Sequence, residues 1–142
     1  MCIRDRSEGA VQYYKTNSTS NLLAEKYRFK EGITYTELTS SVNTFRYLPP
    51  VCIFDKKGPS IVSVKKLWYC LGIFGTKIAP LYFAILNPTL STQVRDVKNL
   101  PIIVNGEIEP KIDEIVKENV EICKQDWNDF ETSWGFEKHP LI

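Results

Sequence analysis

The sequence has little of what a metal centre or a histidine-dependent active site requires. Its single histidine, His139, stands near the end of the 142 residues, and its four cysteines (Cys2, Cys52, Cys70 and Cys123) form no C-x-x-C pair. Zinc sites need clustered cysteine and histidine ligands, and a nucleophile triad needs a histidine base. The sequence therefore predicts no metal ligands, no disulfide framework and no catalytic triad. We interpret the cysteines as reduced thiols of a cytoplasmic protein.

The sequence also lacks a long uninterrupted apolar run and a glycine-rich phosphate loop. Its longest apolar stretch, LWYCLGIFGTKIAPLYFAIL, is broken by Gly72, Gly75, Lys77 and Pro80. A membrane-spanning helix needs about 20 predominantly apolar residues in succession. Phosphate loops place their glycines between a strand and a helix, whereas these two glycines lie inside an apolar helical pattern. We therefore predict no membrane segment and no phosphate loop.

What the sequence does contain is enough apolar residues for a core, together with a separation of charge. Hydrophobic residues make up 43% of the chain and aromatic residues 12%, which is typical of a folded domain. Residues 7–100 carry 12 Lys and Arg against 6 Asp and Glu, whereas residues 101–142 carry 4 Lys against 10 Asp and Glu. The first part is thus net +6 and the last part net −6. A basic first part suits contact with a polyanion, and the acidic last part does not.

The first residues of the chain look foreign to the fold. MCIRDR, residues 1–6, resembles a sequencing-adapter scar read in frame, and we exclude it from structural reasoning. On this interpretation we expect the natural chain to begin upstream. Residues 7–25, which include the polar stretch TNSTSN, are expected to form an irregular lead-in.

Hydrophobic periodicity predicts strands first and helices later. Helical spacing predicts an apolar helical pair at residues 66–74 and 77–86, and Asn87-Pro88 ends the second helix. Residues 93–104 are expected to return to strand or extended structure. Short alternating segments predict strands at residues 27–30, 33–36, 45–48, 51–54 and 61–64.

The last helix has the clearest pattern. Pro110 suits the first turn of a helix at residues 110–126. The order of elements predicts an α+β fold with short, mostly antiparallel strands, a central apolar helical pair and a C-terminal amphipathic helix. We interpret the helical pair as core. We expect the aromatic residues of the tail to pack back on the domain or, in a fragment that has lost their partner, to be left exposed. The predicted apolar face of the last helix consists of Ile112, Ile115, Val116, Val120, Cys123 and Trp127, and the tail aromatics are Trp127, Phe130, Trp134 and Phe136.

One stretch is unusually rich in hydroxyl groups. FKEGITYTELTSSVNTFRY, residues 29–47, combines eight Ser, Thr and Tyr side chains with Lys30 and Arg46. Cations and hydroxyls hold phosphates, and donors and acceptors read base edges in DNA. The alternative is that these hydroxyls cap turns and pair across strands.

Four segments of the chain carry a family resemblance. They are FKEGITYTELTSSVNTFRY, IFDKKG, LNPTLSTQVRDVKNLPI and DWNDFETSWGFEKHPLI, in that order. They resemble the C-terminal part of the PglX family, the adenine-specific DNA methyltransferases of type 1 BREX phage-defence systems. The resemblance covers nearly everything from about residue 27 to the end. It implies a parent enzyme that transfers a methyl group from S-adenosylmethionine to the exocyclic amine of adenine in a short DNA sequence.

The resemblance also implies how the chain is divided and what it contacts. Residues 26–104 would be part of a target-recognition domain, and residues 105–142 an amphipathic helix with an aromatic tail. Double-stranded DNA, an upstream methyltransferase domain and other phage-defence proteins would be partners. The segment Asn87-Pro88-Thr89-Leu90 is similar to the Asn-Pro-Pro-aromatic motif of adenine methyltransferases, but it lacks the second proline and the aromatic residue. We therefore predict no catalytic and no cofactor-binding residues in this chain, and expect the S-adenosylmethionine site to lie upstream.

On this resemblance, the hydroxyl-rich stretch is the candidate DNA-contacting segment. Two other functions remain open. The chain could be a stand-alone DNA specificity subunit of a restriction–modification or phage-defence system, or an interaction domain with no DNA role. The candidate DNA-binding residues are Lys30, Thr34, Tyr35, Thr39, Ser40, Ser41, Arg46 and Tyr47.

Overall fold

The computed structural model describes residues 7–18, 23–54 and 57–141, and these have an α+β fold. The predicted fold class is confirmed, with a small antiparallel sheet and a long last helix. The predicted scar, residues 1–6, lies outside the described residues. In chain order the elements are α1 (Glu8–Thr16), a 3-10 helix (Glu25–Tyr27), β1 (Gly32–Tyr35), β2 (Phe45–Leu48), β3 (Ser60–Val62), α2 (Leu67–Phe74), α3 (Ile78–Leu86), α4 (Val94–Lys98) and α5 (Glu109–Asn128).

The sheet has β1 in its centre, with β2 and β3 antiparallel to it on either side. Gly32 begins β1 and pairs with Leu48 on β2 and Val62 on β3. A Cβ atom at Gly32 would fall well inside van der Waals contact with the carbonyl oxygen of Ile61. Glycine therefore permits the close approach of β3 to β1 at this position.

One face of the sheet packs on α2 and α3 through an aromatic cluster. The Phe45 ring on β2 stacks on Phe74 of α2 at 4.6 Å and on Phe83 of α3 at 5.6 Å between ring centroids. It also lies 5.3 Å from the Tyr35 ring of β1. Aromatic contacts of this kind contribute beyond the burial of their area. The buried cluster consists of Ile33, Tyr35, Leu67, Leu71, Phe74, Ala79, Phe83, Val97 and Leu100.

Helix α5 packs on α2 at Gly72, where the absence of a side chain leaves room for it. A Cβ atom at Gly72 would lie 2.8 Å from Val116 Cγ2 and 3.3 Å from Ile112 Cγ2, so the two helices approach closely there. An ion pair between Lys66 and Glu109 joins the beginnings of the same helices. The predicted helix is therefore confirmed, but only part of its apolar face is covered. Ile112, Val116 and Val120 are partly buried, and Ile115, Cys123 and Trp127 are exposed.

Two predictions for the beginning of the chain were wrong. Residues 8–16 of the supposedly irregular lead-in form α1, because the Ser7 hydroxyl caps the helix by accepting a hydrogen bond from the Ala10 N–H. Residues 27–30 form no strand; the 3-10 helix ends at Tyr27, and Phe29 has a φ of 52°, which interrupts an extended backbone. Residues 19–22 of the lead-in lie outside the described residues.

Two further strand predictions failed for local reasons. Residues 51–54 follow Pro49-Pro50, and the Cys52 N–H bonds the Pro49 carbonyl in a turn instead of a neighbouring strand. Within 93–104, residues 94–98 form α4, because Gln93 and Asp96 make a reciprocal capping box. Residues 101–105 have no regular secondary structure.

The interpretation of the apolar helices and tail as core is only half right. Helix α2 is largely buried, but α3 buries only Ala79 and Phe83 and exposes most of its other large side chains. In the tail, Trp127, Phe130 and Trp134 are exposed, so these side chains do not pack back on the described domain. Helices bury apolar side chains only where another element covers them, which periodicity by itself does not reveal.

No single described helix has both the length and the apolar composition to cross a membrane. Helices α2 and α3 meet those criteria only as a pair, and the two are bent by 76° at the break between them.

Candidate nucleic-acid interface

The pleat of the sheet divides the candidate DNA-binding residues between two faces. In the register, Thr34 on β1 stands opposite Arg46 on β2, and Tyr35 stands opposite Phe45. Successive side chains of a strand point to opposite faces. Tyr35 is on the face that packs on α2 and α3, so Thr34 and Arg46 belong to the outward face of the sheet.

Arg46 has an exposed guanidinium that two neighbouring hydroxyls hold in place. Its side chain is exposed, and its Nη2 donates hydrogen bonds to Thr44 Oγ1 at 3.0 Å and Thr36 Oγ1 at 3.4 Å. These two hydroxyls orient the guanidinium. The guanidinium has further N–H groups that could donate hydrogen bonds to a phosphate oxygen. The prediction singled out Arg46 but missed Thr36 and Thr44 as the residues that orient it. Their presence in the same hydroxyl-rich stretch was the available signal.

Thr34 uses its hydroxyl inside the fold. Its Oγ1 lies 3.3 Å from the Pro59 carbonyl oxygen and 3.4 Å from that of Gly58, and it is half-buried. The hydroxyl therefore connects β1 to the turn before β3. This matches the cross-strand alternative stated for the stretch.

Tyr35 lies in the core. Its side chain is 2% exposed, and its hydroxyl has no hydrogen-bond partner among the described residues. Burial raises the pKa of Tyr35, and the negative charges of Asp96 and Glu37 raise it further. A side chain at this depth does not reach DNA in this structure, so we remove Tyr35 from the candidate surface.

Tyr47 is half-buried and already has a partner. Its ring stacks on Trp68 of α2 at 4.9 Å, and its hydroxyl donates a hydrogen bond to Glu31 Oε1 at 2.7 Å. Partial burial, this hydrogen bond and the charges of Glu31 and Glu121 raise the pKa of Tyr47 to about 12. A carboxylate beside the hydroxyl also disfavours a phosphate at this point.

Replacing Tyr47 by Phe tests this arrangement through pH. Because the folded-state pKa of about 12 lies above the ordinary value of 10.0, the hydroxyl's contribution to stability is complete below pH 10 and is lost as the pH rises through 12. We expect the wild-type chain to be more stable than Tyr47→Phe at pH 8–9, with the difference shrinking above pH 10. Urea unfolding of both proteins across this range measures it. A difference that stays constant up to pH 11 would contradict the expectation.

Thr39, Ser40 and Ser41 lie in the connection between β1 and β2. This connection is hydrogen-bonded to the turn that follows α3. The Thr39 N–H donates to the Leu90 carbonyl at 3.0 Å, and the Thr39 hydroxyl accepts from the Ser41 N–H at 3.1 Å. Thr39 thus stabilises a local turn. The side chains of Ser40 and Ser41 are exposed, so they remain candidates for the predicted base contacts.

The Asn87 side chain stabilises the turn that follows α3. Asn87 Nδ2 donates to Asp96 Oδ2 at 2.6 Å and to the Ser91 carbonyl at 2.8 Å, while Asn87 Oδ1 accepts from the Thr89 hydroxyl at 2.7 Å. The buried Asp96 also accepts from the Gln93 N–H at 2.9 Å. Both ends of the Asn87 amide are therefore engaged within the fold. Sequence reasoning missed Asp96, whose capping-box position three residues after Gln93 was the available signal.

The charge around the hydroxyl-rich stretch is mixed. Lys30 is exposed and forms no ion pair with any described residue. Glu37, within the hydroxyl-rich stretch, forms an ion pair with Lys57 at 3.2 Å. Arg46 and Lys30 are therefore the candidate phosphate contacts, and the surface as a whole is not strongly basic.

The described residues form a cavity whose lining can be compared with what S-adenosylmethionine needs. They hold no group of three or more His, Cys, Asp and Glu side chains that could bind a metal. One cavity of about 560 Å³ lies beside the sheet, lined mainly by apolar side chains such as Ile33, Val64, Phe74 and Val97. No carboxylate is among its lining residues. A cofactor with a sulfonium charge, a ribose and an amino-acid group needs more polar partners than the few in this mainly apolar lining, such as Ser60 and Lys98.

Comparison with known proteins gives the context for this surface. No protein-family model matches the chain. It is 32% identical over 127 residues to the adenine-specific methyltransferase BrxX of Escherichia coli O9:H4 (strain HS), which covers 87% of this chain and 10% of the relative. It is 27% identical over 140 residues to the adenine-specific methyltransferase PglX of Lacticaseibacillus casei (strain Zhang), which covers 97% of this chain and 11% of the relative.

The chain is similar to a segment of the BrxX/PglX adenine-specific methyltransferases. The resemblance inferred from the four motifs is therefore confirmed. The chain spans about a tenth of the length of the curated relatives it matches. Activity and substrate belong to those whole proteins and reach this chain only as a proposal.

Proposed function

We propose that this chain is a DNA-contacting segment of a site-specific adenine methyltransferase and contributes target recognition instead of catalysis. The observation that carries the proposal is the exposed guanidinium of Arg46, oriented by Thr36 and Thr44 on the outward face of the sheet. Nearly the whole chain is similar to adenine-specific methyltransferases, and this similarity supports DNA as the polyanion that the basic side chains would contact. S-adenosylmethionine and the reacting adenine would be bound by parts of the enzyme outside this segment.

The proposed division of labour follows from the chemistry of each group. Arg46 and Lys30 would hold phosphates and so fix the position of the duplex, which carries no sequence information by itself. Ser40 and Ser41, exposed at the tip of the β1–β2 connection, would approach base edges and supply discrimination. An enzyme that acts on adenine must extrude the base from the stack, and phosphate contacts beside the site help it hold a distorted duplex.

The stand-alone specificity subunit is not favoured. Both relatives are named as methyltransferases, and each is about ten times as long as the matched segment. A segment of such an enzyme accounts for the similarity without requiring a separate catalytic partner. A methyltransferase of the PglX type would place the segment in a BREX phage-defence system.

The test is the salt dependence of DNA binding by the complete methyltransferase that contains this segment. Replacing Arg46 by Ala should weaken binding to all DNA sequences and lower the slope of log K against log salt by about one unit per lost phosphate contact. Arg46→Lys should keep most of the slope, because the charge remains. Lys30→Ala should act like Arg46→Ala. Fluorescence anisotropy with a labelled duplex at several salt concentrations measures the slope.

A matched control separates a local contact from a change of net charge. Lys124 on α5 is exposed and paired with Glu121 at 3.3 Å, so Lys124→Ala should leave the slope nearly unchanged. If Arg46→Ala lowers the melting temperature but leaves the affinity and slope intact, Arg46 is part of the scaffold and the proposal is wrong. The same conclusion follows if Arg46→Ala and Lys124→Ala change the slope equally.

A further inference from the structure

Helix α3 presents an apolar stripe to the outside of the described domain. Ile78, Leu81, Tyr82, Ile85 and Leu86 are all exposed, and Ile85 reaches 79%. Their spacing of three and four residues places them along one side of the helix. The whole helix, IAPLYFAIL, contains no charged side chain. Isolated exposed apolar residues are ordinary, but a contiguous stripe of this kind marks a surface that binds something.

A neighbouring side of α3 is already packed on the core, so the helix is docked and the stripe is the part of it that stays uncovered. Ala79 and Phe83 are buried, and the Phe83 ring stacks on Phe45 of the sheet. The end of the helix is also held, because the Asn87 side chain bonds both Asp96 and the Ser91 carbonyl. The stripe is thus displayed by a helix whose position is set by the core.

The chemistry of the stripe excludes DNA as its occupant. The stripe has no cation, and its single polar group is the Tyr82 hydroxyl. Phosphates need cations or N–H donors, so the face that contacts DNA and the face formed by α3 must be different surfaces. Apolar side chains with no charged rim within the helix are typical of a permanent contact, in which the fully buried centre is more apolar than ordinary surface.

We propose that the α3 stripe docks on another part of the same methyltransferase chain, in an intramolecular interface. This rests on the proposed function, which makes the chain a segment of a larger enzyme. The matched relatives are about ten times longer than the segment, so most of such an enzyme lies outside it and can supply an apolar surface. An intramolecular contact would hold the outward sheet face at a defined position relative to the catalytic part.

The experiment measures how readily a thiol on the stripe reacts in the complete enzyme. Ile85→Cys and Leu81→Cys place thiols on the stripe, and both changes keep the side chains apolar. Val51→Cys is the control, because Val51 is 74% exposed and lies in a turn outside α3. Maleimide labelling is assigned residue by residue from fragment ions in a tandem mass spectrometer, which separates these thiols from Cys52, the neighbour of position 51, and from Cys70 and Cys123. Each rate is normalised to the rate in denaturant.

We expect the two stripe thiols to react at least about tenfold more slowly than Val51→Cys, and this ratio should not change on dilution. Equal rates would overturn the proposal. Protection that disappears on dilution would assign the stripe to a second copy of the chain, and protection that appears only with lipid vesicles would assign it to a membrane surface; both results overturn it. The salt slope of Arg46→Ala tests the DNA role separately, so either idea can fail without the other.

Discussion

Replacing Phe45 by Ala is expected to lower the free energy of unfolding by about 2–3 kcal/mol, less than the roughly 3–5 kcal/mol for a fully buried phenylalanine, because Phe45 is only partly buried. Phe45 is the ring that contacts β1, α2 and α3 together, through Tyr35, Phe74 and Phe83. Alanine leaves a cavity between these elements, and the rings around it lose their stacking partner. Urea unfolding monitored by circular dichroism measures the change.

The control for Phe45→Ala is Phe130→Ala. Phe130 is exposed in the tail, so its loss should change stability by less than about 0.5 kcal/mol. Equal destabilisation by both substitutions would show that the tail is covered as the sheet is, and would contradict the packing described here.

Replacing Gly32 by Val is expected to destabilise the fold by about 3 kcal/mol, at the upper end of the range for overpacking. The new Cβ would press against the Ile61 carbonyl, a backbone atom that can move only if β3 separates from β1. The expected result is a lower melting temperature together with loss of the β1–β3 hydrogen bonds. Thermal unfolding gives the first quantity, and amide hydrogen exchange of β3 gives the second.

Gly106→Val is the matched control, because a Cβ at Gly106 meets no atom within 4 Å. The same increase in volume there should have little effect on the sheet. If Gly32→Val and Gly106→Val were equally stable, β3 would not lie as close to β1 as described. The pair of variants therefore isolates the close approach from the general effect of replacing a glycine.

Some of the fold follows from local patterns that hold in any context. The hydroxyl-rich stretch predicted β1 and β2 because apolar and polar residues alternate there, and the observed strands differ from the prediction by at most one residue. Pro110 and helical spacing predicted α5, which runs slightly beyond the expected bounds. Failures came where a single local interaction reverses the pattern, as with the Ser7 cap of α1 and the positive φ of Phe29.

The candidate site was predictable in residue type but not in orientation. Sequence alone indicated Arg46 as a cation among hydroxyls, and the structure leaves it exposed. Tyr35 has the same kind of side chain as other candidates, yet the register turns it into the core. A shift of one position along a strand exchanges the two faces, and only the pairing of strands determines which face is covered.

The sequence by itself determined the α+β class, the family resemblance and the approximate positions of six elements, which are β1, β2, β3, α2, α3 and α5. These depend on residue spacing and composition, which are local properties. Only the tertiary structure decided that Tyr35 and Tyr47 turn inward, that Asn87 is bound by Asp96, and that α3 exposes an apolar stripe. Each of these depends on residues far apart in the chain coming together, because burial is set by what packs on a surface and not by the surface's own sequence.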